Sequence, residues 1–199
     1  TKEKNKTILR GYKMSKELKL IPPNDPRVKS NIPVFKDELL EKFGFKDRIE
    51  LSDKMFETMN KYHGLGLTAN QVGLPLNVFV LGGHPKIENG LKMTCFNPMI
   101  ISSSEEKVMM KEGCLTFPFV FLSITRPRKV VVKYEDENGD LQEGHLDGMV
   151  SRIFQHEYDH TQGKMFVEYA SKLKLDMAYK KAEKMMDRLQ KGGEVVEKI

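Results

Sequence analysis

Apolar residues recur at three- and four-residue steps in two stretches of the chain. Over residues 48–62, Leu51, Met55, Met59 and Tyr62 fall on one face of a helix expected to stop at Gly64. Over residues 171–190, Leu175, Ala178, Ala182, Met185 and Leu189 make a second stripe, opened by Ser171 and ended by Gly192-Gly193. Between them the pattern shortens. Residues 76–81 form the continuous apolar run of a buried strand, and residues 94–101, 106–110, 121–126, 129–134 and 141–145 are strand-like. Asn138-Gly139 predicts a tight hairpin between the last two. Asp147 can cap a further helix that ends near Gly163, whereas Ile21-Pro22-Pro23-Asn24-Asp25-Pro26 cannot be helix interior. These elements predict an α+β fold in which short, mostly antiparallel strands surround a central helix. A single domain over residues 1–199 is expected, with a basic N-terminal extension over 1–20 and a basic C-terminal helix over 171–191.

Composition narrows the class. With 39% apolar and 31% charged residues the chain is globular, and the absence of Trp leaves packing to Met, Phe and aliphatics. No apolar run approaches the roughly 18 residues that span a bilayer, so a soluble, cytoplasmic protein with no membrane partner is expected. Two cysteines, Cys95 and Cys114, make no disulfide framework and point to a reducing compartment. The chain opens on Thr1, as a processed or trimmed product would. Its Lys-rich start has one Ser and one Arg, where a transit peptide would be rich in both, and organellar import is left open.

The net charge of +5 is concentrated at the ends, with nine Lys/Arg against three acids in residues 1–29 and eight against five in residues 171–199. Solvated basic faces account for this, as would a polyanionic partner such as RNA. DNA is not an expected partner.

The chemistry centres on Gln155-His156-Glu157-Tyr158-Asp159-His160. On a helix, His156 and His160 lie one turn apart on one face and can share a metal ion, with Glu157 beside them as a general base. A catalytic metal usually has three protein ligands, so a third must be found. Gly163 fits the metzincin continuation, but the next required position is Phe166, which cannot ligate. A thermolysin-like third ligand would be Glu183, on the predicted outer face of its helix, or Glu168, only eight residues past His160. Cys114, in Glu112-Gly113-Cys114-Leu115, is the better candidate: a thiolate binds Zn²⁺ or Fe²⁺ strongly, and Gly113 allows a tight backbone approach. Cys95, in apolar surroundings, reads as a small buried hydrophobe.

Three segments now join. Gly64-Leu65-Gly66-Leu67-Thr68-Ala69-Asn70-Gln71, Glu112–Leu115 and Gln155–His160 stand in the order of the Gly-x-Gly-Leu-Ala-Ala-x-Gln, Glu-Gly-Cys-Leu and Gln-His-Glu-x-Asp-His signatures of peptide deformylases, and the chain resembles that family from about Ile21 to the last helix. The resemblance implies removal of the formyl group from the N-terminal formylmethionine of nascent peptides, with release of formate. It implies metal binding by Cys114, His156 and His160, natively of Fe²⁺, with Zn²⁺, Ni²⁺ or Co²⁺ able to substitute. Glu157 would move the proton of the attacking water, while the Gln71 side-chain amide and the Leu115 backbone N–H would hold the oxyanion. An extended peptide would pair at Leu65 and Gly66, with Gly113 also at the substrate. Asp159 would pair with Arg126, and Glu112 would orient a ligating histidine. The last helix would dock at the ribosome, with Lys172, Lys174, Lys180, Lys181, Lys184 and Arg188 meeting rRNA phosphates.

A zinc endopeptidase of the His-Glu-x-x-His class is the alternative. Thr68 and Asn70 depart from the family's commoner Ala and Pro or Thr, which reads as a small change. Phe119-Val120-Phe121 replaces residues that are often polar and predicts a more apolar rim.

Overall fold

A computed structural model describes residues 17–85, 87 and 90–192. Residues 1–16 of the expected N-terminal extension lie outside them. The order is α1 (Glu38–Phe43), α2 (Arg48–Lys61), β1 (Gly66–Thr68), β2 (Val78–Gly82), β3 (Lys92–Ser103), β4 (Lys107–Cys114), β5 (Phe117–Pro127), β6 (Val130–Glu135), β7 (Leu141–Leu146), α3 (Gly148–Thr161) and α4 (Lys172–Gln190). The fold is α+β, and every strand pair is antiparallel. Five strands form one sheet in the order β1-β2-β3-β6-β7, and β4 and β5 form a separate hairpin. No helix among the described residues is long and apolar enough to cross a membrane.

The apolar run at 76–81 has a simple origin. Its regular part, β2, is buried on both faces: Val78 and Val80 pack with Leu51, Met55 and Met59 of α2, and Phe79 and Leu81 pack with Val150 and Phe154 of α3. A strand covered on both sides loses the alternation that a half-exposed strand shows. Phe79 and Phe154 meet edge to face with ring centres 5.0 Å apart. Cys95 lies in this second core, fully buried, as the small apolar residue expected.

Helix α3 is the centre of the molecule, with eleven of its 14 residues buried. Its start is fixed by Asp147, whose carboxylate accepts from Gly148 N–H at 2.6 Å. It stops at Gly163, whose φ is +70° and whose Cβ, if present, would lie 2.4 Å from the Lys29 carbonyl oxygen. Only glycine fits there.

Two predicted helix faces differ from those observed. Helix α2 ends at Lys61, and Tyr62, expected on the buried stripe, is 36% exposed at the C-cap, while His63 rather than Gly64 takes the left-handed turn at φ 56°. In α4 only Ala182 is buried; Leu175 and Ala178 are half-buried against the core of β5, and Leu189 is 41% exposed. From Met186 onward every described residue of this segment is exposed, so the helix outruns the surface that receives it.

Candidate metal and catalytic site

Two elements deliver the ligand candidates. One turn of α3 sets His156 above His160, their ring centres 5.1 Å apart. The end of β4 brings Cys114 to them, where its Sγ lies 3.2 Å from His160 Nε2. The three donor atoms lie within 4.8 Å of one another. Donors held by a common ion at about 2.0–2.3 Å sit roughly 3.3–3.8 Å apart in a tetrahedron, so this trio is already near that spacing. The site fits a metal by a second observation. Glu112 Oε2 accepts from His156 Nδ1–H at 2.9 Å, which leaves the Nε2 lone pair of that ring for a ligand. His160 Nδ1 is buried without a hydrogen-bond partner among the described residues.

A buried ionic cluster supports this arrangement from behind. Arg126 donates to Glu112 and to Asp159, at 2.7 and 2.6 Å, and the Tyr169 hydroxyl donates to the same Asp159 oxygen at 2.9 Å. Both pairings expected for Asp159 and Glu112 are therefore present. Arg152 was not foreseen: it donates to Glu112 at 2.7 Å and to the Ile124 and Val108 carbonyls at 2.9 and 2.6 Å, so it ties α3 to both strands of the β4–β5 hairpin. Burial alone would raise the Glu112 carboxyl, but hydrogen bonds from His156 and Arg126 overcome it and bring it down to about 2. Burial also works against the Arg126 charge, which Glu112 and Asp159 more than restore. The Phe166 ring, excluded as a ligand, instead packs against His156 with centres 5.6 Å apart.

The thiol and imidazole of the site favour charge separation. Burial would push Cys114 up, yet His160 and His156 hold it well below the usual thiol range. Burial would push His156 down, yet Cys114 and Glu112 hold it up to about 10. Glu157 is moved the other way: burial raises its carboxyl, against the pull of His156, His160 and Thr68.

The loop before β2 supplies Gln71, fully buried on the 3₁₀ turn Ala69–Val72. Its Oε1 accepts from Thr68 N–H at 2.8 Å, which fixes the amide so that Nε2 faces the hairpin. One of the two Nε2 hydrogens is spent on Thr116 Oγ1 at 3.0 Å; the other is directed at Cys114 Sγ, 3.4 Å away. Leu115 occupies the hairpin tip next to Cys114 with Thr116, and its side chain packs on Gly64. Asn70 donates to the Val28 and His160 carbonyls at 3.1 and 2.8 Å, tying this loop to the end of α3.

The residues expected to meet an extended peptide lie at a sheet edge. Among the described residues, β1 has β2 on one side and no strand on the other. Gly82 N–H donates to the Leu65 carbonyl at 2.9 Å, so antiparallel alternation turns Leu65 and Leu67 toward β2 and leaves the Gly66 N–H and C=O facing the open edge. The missing side chain of Gly113 makes room for the Phe121 ring, which a Cβ would approach to 2.7 Å. Lys111 Nζ covers that ring at 4.4 Å.

Similarity to known proteins is consistent along the chain. A family model described as polypeptide deformylase matches residues 30–176. The peptide deformylase of Wolbachia sp. subsp. Brugia malayi is 42% identical over 170 residues, covering 78% of this chain and 95% of that protein. A peptide deformylase crystal structure from Legionella pneumophila aligns with a TM-score of 0.72 and 33% identity over 86% of this chain and 96% of that one. One from Ehrlichia chaffeensis, in complex with actinonin, aligns with a TM-score of 0.71 and 36% identity over 84% of this chain and 96% of the other.

Proposed function

The chain belongs to the peptide deformylase family, and we propose that it removes the formyl group from N-terminal formylmethionine of nascent peptides through one divalent metal ion held by Cys114, His156 and His160. The observation that carries this reading is the convergence of those three donors beside Glu157 and the Gln71 amide. Charge supports a divalent ion. The buried Glu112 and Asp159 are balanced by Arg126 and Arg152, which leaves the Cys114 thiolate and the Glu157 carboxylate to be balanced by the ion. Iron(II) is the proposed resident ion, as the family resemblance implies, and the His₂Cys set also accepts Zn²⁺, Ni²⁺ or Co²⁺.

When bound, the ion would supply Lewis acidity that activates water and polarises the formyl oxygen. The chain's own residues do the rest. Glu157, buried and raised, takes the proton of the attacking water and passes it to the leaving amine as the C–N bond breaks, giving formate and a free N-terminus. The Gln71 Nε2 hydrogen directed at Cys114 Sγ and the Leu115 N–H would donate to the oxyanion as it forms. Gly66, at the open edge of β1, pairs with the extended peptide as an added strand. The backbone of Gly113, next to Cys114, would also contact the substrate, as the family resemblance implies.

The exposed Lys172, Lys174, Lys180, Lys181, Lys184 and Arg188 of α4 are proposed to meet rRNA phosphates at the ribosome, which would place the enzyme in a translating compartment such as the cytoplasm. No observation favours the endopeptidase alternative. Incubation of metal-loaded protein with formyl-Met-Ala and with an unformylated longer peptide separates the two: formate from the first and no internal cleavage of the second is the expected result, and the reverse would reject the proposal.

A further inference from the structure

The family signature has Ala where this chain has Thr68, and the structure gives that difference a consequence. Thr68 is fully buried, and its hydroxyl donates to Glu157 Oε2 at 2.7 Å. The same hydroxyl is 3.2 Å from the Glu157 carbonyl oxygen, but with one hydrogen to give it serves the nearer, charged acceptor. The other carboxylate oxygen, Oε1, lies against Gly66. Glu157 is thus held at both oxygens, by contact with Gly66 on one and by a hydrogen bond on the other. Thr68 also anchors the second polar group of the site, because its backbone N–H holds Gln71 Oε1 at 2.8 Å. A backbone N–H is available from any residue but proline; the hydroxyl is what this chain adds.

We propose that Thr68 is a positioning residue of this enzyme: its hydroxyl fixes the rotation of the Glu157 carboxylate, so that Oε1 alone is presented for proton transfer. Alanine at this place would leave Oε2 without that donor. The inference rests on Glu157 being the proton carrier, and it concerns orientation rather than substrate or metal binding. A valine at position 68 keeps the branched shape and removes the donor, while serine keeps the donor and removes the methyl group.

The test compares Thr68→Val, Thr68→Ala and Thr68→Ser with the parent, all metal-loaded, by formate release from formyl-Met-Ala, metal content, and the crystal structures of parent and Thr68→Val. Misplacing a reacting group typically costs up to roughly a hundredfold. The expected result is a ten- to hundredfold fall in kcat for Val and Ala, with KM and metal content unchanged, recovery of most of the rate in Ser, and a Glu157 carboxylate rotated in the Val variant. Unchanged kcat in Val and Ala, an equal loss in Ser, or an unrotated carboxylate would overturn it. If the parent itself releases no formate, the functional reading fails; if the parent is active and the variants match it, only the positioning role fails.

Discussion

Gly66 lies so close to Glu157 that a Cβ on it would stand 2.4 Å from Oε1 and 2.7 Å from Cδ of the carboxylate. The sheet edge proposed to receive the peptide and the base proposed to move its proton are therefore in van der Waals contact. One methyl group tests that relationship. Gly66→Ala should push the Glu157 carboxylate off its place and lower kcat by roughly a hundredfold, with an unchanged circular-dichroism spectrum and full metal content. Retained kcat would show that Glu157 tolerates displacement.

Metal uptake should release protons. His156 is held up to about 10 by Cys114 and Glu112, so at pH 7 the metal-free ring carries a proton that a ligating imidazole must lose. Calorimetric titration of metal-free protein in buffers of different ionisation enthalpy should therefore show net proton release. Affinity should weaken as pH falls, because acid favours the protonated, non-ligating ring. A buffer-independent heat would contradict this.

Glu112 predicts the acid limb of the stability profile. Its carboxyl stands at about 2 in the folded chain against an ordinary 4.5, so protons bind more readily to the unfolded chain. The stabilisation is complete above 4.5 and is lost as pH falls from there through 2, and it amounts to about 3 kcal/mol. In urea denaturation of metal-free protein, Glu112→Gln should be less stable than the parent at pH 6 and should show a flatter decline between pH 4.5 and 2. Parallel profiles would remove Glu112 as the cause.

Reversing Lys180, Lys181 and Lys184 to Glu should weaken ribosome binding and flatten its salt dependence. These side chains are exposed on α4 and none belongs to the metal and catalytic site, so turnover of formyl-Met-Ala should stay unchanged. Ribosome affinity equal to that of the parent would reject the docking role.

The site was legible in the sequence where its chemistry repeats at a fixed step. His156 and His160 are one helical turn apart, and any helix through them makes the pair. Cys114 needed elimination of Glu168, Glu183 and Phe166 together with the family signature, because its partner His160 is 46 residues away. Thr68 and Arg152 left no signal of that kind. The Thr68 hydroxyl finds Glu157 across 89 residues, and Arg152 reads as a solvated charge until β4 and β5 are placed against its helix. Apart from β1, whose three residues gave no strand pattern, the strands were legible by position but not by length: β4 and β5 run to Cys114 and from Phe117 because the hairpin closes on the tip that carries Leu115. Periodicity also cannot say where a neighbouring surface ends, which is why Tyr62 and Leu189 continue their stripes into solvent.

The central claim is that a three-ligand metal and Glu157 act together on the formyl group. Parent and Glu157→Gln, each loaded with iron(II) under anaerobic conditions, should be compared for metal content and for formate release from formyl-Met-Ala in the same samples. Equal metal, with formate release from the parent and a fall of several orders of magnitude in the variant, is the expected result. A metal-loaded parent that releases no formate, or a variant as fast as the parent, would contradict the account.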